Sequence, residues 1–172
     1  LYARRYGMAP VVGRLLGYLA ICDPREQSIA ELAEALLASR SAIAGAVKSL
    51  EQQGVLALHS VRSLLVKQQT MLANAMRGLA TEFGLVVPKG MDKLKELMTL
   101  VEEDKSFPEQ ARKAFAELRA HCHVTTERIE KLERQIVAHA RHDDTARRLA
   151  TVPGIGPITA SLIAATVGDT IG

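Results

Sequence analysis

Aromatic side chains are scarce in this 172-residue chain: three Tyr, three Phe and no Trp, 3% in all. With so few rings beside abundant Ala, Leu, Glu and Arg, the composition disfavours sheets and predicts helices. Cys22 and Cys122 are the only cysteines. Two thiols a hundred residues apart give no disulfide framework and suit a reducing, cytoplasmic setting. No apolar run approaches the length of a membrane span. Arg4 and Arg5 ahead of VVGRLLGYLAIC look superficially like a signal peptide, but Arg14 interrupts the run and Ile21 is no cleavage-site residue, so a soluble amphipathic helix is expected. There is no basic arm either. The net charge of +3 is spread thinly, at +1 over residues 1–60, zero over 61–109 and +2 over 110–172. That balance permits nucleic acid without demanding it.

Catalytic patterns are missing as well. No Ser-His-Asp set or glycine-rich phosphate loop is present. His121, Cys122 and His123 are neighbours, and His139 and His142 lie a turn apart, yet adjacent helical positions point apart, so no metal site and no cofactor are expected. Asp143-Asp144 reads as a helix cap rather than a carboxylate pair.

What is present is 48% hydrophobic content, enough for a packed core, in periodic form. Residues 8–22 predict a helix with Pro10 near its start and Val12, Leu15, Leu16, Leu19 and Ala20 on one face, ended by Asp23-Pro24. Ser28 and Glu31 form a capping box for a second helix, Ile29 to Leu37, packing through Leu32, Ala33 and Leu36. Ser39 caps a third, with Ile43, Val47 and Leu50 inward and Arg40, Ser41, Ala42, Ala46, Lys48 and Ser49 accessible. From Leu58 onward Val61, Leu65, Gln68, Leu72, Ala75 and Leu79 recur at threes and fours, a heptad seam. Gly84, Pro88 and Gly90 break it, residues 92–103 form a short amphipathic helix, and Ser106-Phe107-Pro108 is a second break. Phe115, Leu118, Cys122, Thr125, Ile129, Leu132, Ile136 and His139 make a second seam, expected to run antiparallel to the first and to offer a face to a second copy. Whether Gly54, which costs about 1 kcal/mol inside a helix, breaks the third helix from the seam stays open.

The most distinctive stretch is TVPGIGPITASLIAATVGD, from Thr151 to Asp169. Pro153, Gly154, Gly156 and Pro157 make a tight turn, and the following small-residue helix presents unpaired N–H groups there, a place for a phosphate. Asp143 to Ala150 leads in with Arg147 and Arg148, so the whole reads as a helix-hairpin-helix. Gly154, Ile155, Gly156, Thr159, Arg147 and Arg148 are its candidate nucleic-acid contacts. An ordinary corner whose glycines serve packing is the alternative.

Two resemblances follow. ELAEALLASRSAIAGAVKSLEQQG resembles the helix-turn-helix of MarR/GbsR-type regulators, which implies a third helix in the major groove with Ser39, Arg40, Ser41 and Lys48 near DNA. No strand, turn and wing follow it. From Gln52, QQGVLALHSVRSLLVKQQTMLANAMRGLATEFGLVVPKG and then ATVPGIGPITASLIAATVGD resemble the central helical region of insertion-sequence 110/1111 transposases. Those are recombinases with a RuvC-like DEDD domain, a guide RNA and a serine nucleophile in a further domain. No counterpart of those acids or of the serine segment is found, so this chain alone is expected not to be an enzyme.

The expected architecture is all-α: a three-helix unit without a wing over residues 1–54, a coiled-coil hairpin with a tip helix over 55–142, and a helix-hairpin-helix over 143–172, with both ends read as cuts. The expected role is that of a transposase fragment that binds DNA, or alternatively structured RNA, and forms a homodimer through the coiled coil, with no membrane association. The rivals are a MarR/GbsR-like regulator with an acquired hairpin and a purely structural coiled coil.

Overall fold

The computed structural model describes residues 9–24, 26–104 and 107–167, and the backbone alone of Met91. Arg4, Arg5, Ser106, Asp169 and Gly172, on which some of the expectations fall, lie outside the described residues. The described residues are mainly helical and contain no strand. The elements are α1 (Pro10–Leu19), α2 (Ile29–Ala35), α3 (Arg40–Glu82), α4 (Met91–Glu103), α5 (Glu109–His142), α6 (Asp144–Leu149) and α7 (Pro157–Val167). They form two compact units, one made of residues 1–57 with 139–172 and the other of residues 58–138. No described helix is long and apolar enough to cross a membrane.

In the first unit the short helices are set by their caps. The Ser28 hydroxyl accepts the Glu31 N–H while the Glu31 carboxylate accepts the Ser28 N–H at 2.7 Å. Hydrogen bonding to its carboxylate from the Ser28 hydroxyl, and then from the Ser28 N–H, holds the Glu31 carboxyl below its usual range. At the far end of α2 the Ala38 N–H reaches Ala33 O and the Leu37 N–H reaches Glu34 O, closing the helix with Leu37 at φ +48°. Ser39 then caps α3, its hydroxyl accepting the Ala42 N–H at 3.2 Å. Val12, Leu15, Leu32, Ala33, Ile43 and Ala46 are the buried core of these three helices. Two expectations change here. Ala46 is buried rather than accessible, because α1 and α2 cover that side of α3. Leu16, Leu19 and Ala20 stay exposed, and Val11 and Tyr18 pack in their place.

Gly54 does not interrupt α3, which is continuous from Arg40 to Glu82. In the second unit α3 and α5 run antiparallel. Arg62 Nε donates to Glu133 Oε1 at 2.8 Å, and Gln69 Nε2 donates to Thr126 Oγ1 at 2.7 Å. Each step forward on one helix is matched by an equal step back on the other. The buried row of α5 contains Phe115, Cys122, Thr125, Ile129 and Ile136, as its spacing predicts.

The row of α3 that faces inward is not the expected one. It consists of His59, Arg62, Val66, Gln69, Ala73, Met76 and Ala80, one residue beyond each position of the apolar seam. Three of these seven residues, His59, Arg62 and Gln69, are polar, so a search for apolar periodicity settles on the neighbouring row. Of that neighbouring row, Leu58, Leu65, Leu72 and Leu79 are half-buried and Val61, Gln68 and Ala75 are exposed.

The second unit's core lies toward the α3–α4 connection: Ala73, Met76, Ala80, Leu94, Leu97, Met98, Val101, Phe107, Phe115 and Cys122. Phe107 stacks between Phe83, ring centroids 4.9 Å apart, and the edge of Phe115 at 6.2 Å. Gly84, at φ +79°, lets the Leu85 N–H bond Ala80 O and end α3. Arg77 Nη2 donates to Gly90 O at 2.8 Å and ties down the connection.

Candidate nucleic-acid interface

Asp143 begins the interface. Its carboxylate accepts the N–H groups of Thr145 at 2.8 Å and Ala146 at 3.0 Å, which starts α6 in the manner of an N-cap. Ala146 packs with Ala140, Ala160 and Ala164. Small residues on both helices let α6 and α7 approach closely, with Leu149 and Ile155 closing the cluster.

Between them the Thr151 hydroxyl donates to Arg148 O at 2.7 Å, Val152 N–H to Leu149 O, and Ile155 N–H to Val152 O at 3.0 Å. Gly154 sits at φ +88°, a conformation that strains any side chain. Gly156 is different: its φ is ordinary, and a Cβ there would meet no protein atom. Internal packing therefore does not demand glycine at 156. Ala160 N–H closes the first turn of α7 on Gly156 O at 2.9 Å. The N–H groups of Ile158 and Thr159 precede that first helical bond, and Pro157 has none to satisfy.

Gly154, Gly156, Thr159, Arg147 and Arg148 are exposed, and Ile155 is half-buried. Arg147 forms an ion pair with Asp144, so its guanidinium is not free of acids. Arg148 has no ion pair among the described residues. Asp144, Arg147, Arg148 and Thr151 line one shallow surface depression.

The other candidates sit at the start of α3 in the same compact unit. Ser39, Arg40 and Ser41 are exposed, and the Ser39 and Ser41 hydroxyls are 3.1 Å apart. Lys48 is exposed too, but it shares a cavity with Glu51, Gln52, His139, His142, Asp143, Asp144, Thr145 and Ala164. Its acid neighbours Asp143 and Asp144 come from almost a hundred residues away, a juxtaposition that no local spacing signals. Among the described residues no group of three or more His, Cys, Asp or Glu could hold a metal ion.

No family model matches the chain and no solved structure matches it. A transposase for insertion sequence element IS1328 from Yersinia enterocolitica is 41% identical over 119 residues, 69% of this chain and 35% of the relative. A transposase for insertion sequence element IS1111A from Coxiella burnetii is 33% identical over 145 residues, 83% of this chain and 39% of the relative. The chain is related to insertion-sequence transposases. It spans a little over a third of the length of these transposase relatives. A shorter similarity, 43% over 53 residues, links 31% of the chain to 32% of an HTH-type transcriptional regulator, MmpR5, from Mycobacterium tuberculosis.

Proposed function

We propose that this chain is the nucleic-acid-binding and dimerising portion of an insertion-sequence transposase of the 110/1111 kind, with DNA cleavage and joining left to parts of the relatives that it does not match. The similarity to transposases over more than two thirds of the chain carries this reading. The turn at Gly154 to Thr159 supports it, since Gly154 sits at φ +88° and the N–H groups of Ile158 and Thr159 precede the first helical bond of α7, a backbone suited to the close approach of a phosphate. Arg147 and Arg148 supply positive charge one turn before it, and Ser39, Arg40, Ser41 and Lys48 are the further contacts at the start of α3.

On this reading α3 and α5 are a coiled coil, and the homodimer forms on the outer side of α3. Support comes from Val61, Leu64 and Met71, which are 47%, 55% and 69% exposed at alternating steps of three and seven on a helix whose inner row carries His59, Arg62 and Gln69. An outward row more apolar than the inward one suits a partner.

The test is binding of the chain to branched DNA, structured RNA and a short palindromic duplex across a salt series. The transposase reading expects the branched or structured species to bind best, with steep salt dependence. Arg147→Ala/Arg148→Ala should weaken all sequences alike. The 53-residue similarity to a transcriptional regulator favours a second reading, a sequence-specific regulator built on α1 to α3. It expects preference for the palindrome, lost on Arg40→Ala or Ser41→Ala. Absence of all binding at low salt refutes both.

A further inference from the structure

Two cavities flank α4 in the unit of residues 58–138. One, of about 480 Å³, runs along Leu94, Lys95, Met98 and Thr99 and is bounded on the other helices by Met76 and Cys122. The second, of about 350 Å³, runs along Met98, Val101 and Glu102 and is bounded by Arg112 and Phe115. Met98 borders both. Space beside a buried side chain removes contacts that would otherwise hold it. α4 is seated on α3 and α5 by the buried side chains Leu94, Leu97, Met98 and Val101 alone among its described residues.

Its polar anchors are few. The pairs Lys93–Glu96 and Lys95–Asp92 lie within α4 itself, so they survive its departure from the other helices. Of the ion pairs among the described residues, one joins α4 to another helix, Glu102 with Arg119, and both of its side chains are half-exposed. Gly90 gives α4 no side-chain cap. The connection ahead of α4 carries a cost as well. Arg77 donates through Nη1 to Asn74 Oδ1 at 3.3 Å and through Nη2 to Gly90 O at 2.8 Å, but its Nε is buried without a partner and no carboxylate pairs with it among the described residues. An unpaired buried donor on a cation penalises the seated state. Gly84 and Gly90, at φ +79° and +124°, bracket this connection with the two positions able to absorb a swing of the backbone.

We propose that α4 is a hinged strap that leaves α3 and α5 as a unit while the helix pair stays formed, baring the apolar stripe of Ala73, Met76, Phe115 and Cys122. Cavities on both flanks, one exposed latch and an unpaired guanidinium nitrogen place this opening well below the cost of unfolding the whole unit. Cys122 reports it. The residue is 6% exposed, lines the larger cavity and belongs to the core that α4 covers. The proposal stands apart from the nucleic-acid reading, since it rests on other residues.

Reaction of the Cys122 thiol with a water-soluble maleimide tests it, in the full chain carrying Cys22→Ser and at rising urea. Labelling is expected without urea, and its rate should rise less than half as steeply with urea as the unfolding seen by circular dichroism. Leu97→Ala removes the fully buried anchor of α4 and should speed labelling at least tenfold. Ile129→Ala, on the same row of α5 as Cys122 but outside the core under α4, should speed it at most twofold. Glu102→Gln releases the exposed latch and should speed labelling at least twofold; as a surface change it decides the question if circular dichroism shows lost helix in either alanine variant. Labelling that tracks unfolding in urea, equal acceleration by the two alanine variants, or an unchanged rate in Glu102→Gln overturns the proposal.

Discussion

Leu37 holds a backbone conformation better suited to glycine: φ is +48°, and the residue is 91% exposed. The bonds from Ala38 and Leu37 back to α2 require that conformation, and a left-handed leucine costs about 1–2 kcal/mol. Leu37→Gly should therefore raise the melting temperature, with a net gain of about 1 kcal/mol after glycine's greater chain entropy is counted. Denaturant titration of the two proteins checks it. Gly84→Ala and Gly154→Ala have the opposite sign, since both glycines already occupy positive φ. His59 makes a prediction about pH. Burial, and then the Arg62 guanidinium, hold its imidazole below the usual histidine range. The unfolded chain thus takes up the proton first as pH falls. The stability that His59 contributes is present above its unfolded value and is lost as pH drops toward the folded one. Melting curves between pH 7.5 and pH 5 should show a decline that His59→Gln reduces.

At the scale of elements, what could be read from the sequence was local. The Ser28–Glu31 box, the Ser39 and Asp143 caps and the glycine turn each involve residues within a few positions of one another, and all of these are found. The α5 row was legible because its inward residues are mostly apolar. The α3 row was not, because Arg62 and Gln69 face inward only by virtue of Glu133 and Thr126 far along the chain. Periodicity of apolar residues is blind to a polar row that is satisfied across a helix pair. The Arg62–Glu133 contact, with both side chains about 30% exposed, should be worth about 1 kcal/mol. A double-mutant cycle with Arg62→Ala and Glu133→Ala measures it. A coupling energy indistinguishable from zero would show that the pair sets geometry without adding stability.

At the scale of the whole molecule, residues 9–57 and 139–167, far apart in the sequence, belong to one compact unit. The neighbourhood of Lys48 with Asp143 and Asp144 follows from that grouping. Neither could be seen in a chain read segment by segment. The proposed dimer is tested at this scale too. Val61→Glu/Leu64→Glu places two charges on the outer row of α3 and should shift the chain to monomer in sedimentation equilibrium, with helix content unchanged. Retained self-association would move the interface elsewhere.

The paired polar contacts between α3 and α5 also bear on errors of assembly. Sliding one helix past the other by a heptad restores the spacing of apolar residues but not the partners: Arg62 would lie opposite Ala140 or Thr126, and Gln69 opposite Glu133 or Arg119. A slipped alignment strands a guanidinium against a methyl group or a hydroxyl, whereas the native one satisfies both rungs together. The polar row thus acts as a proofreading device, rejecting misaligned hairpins that hydrophobic burial alone would tolerate.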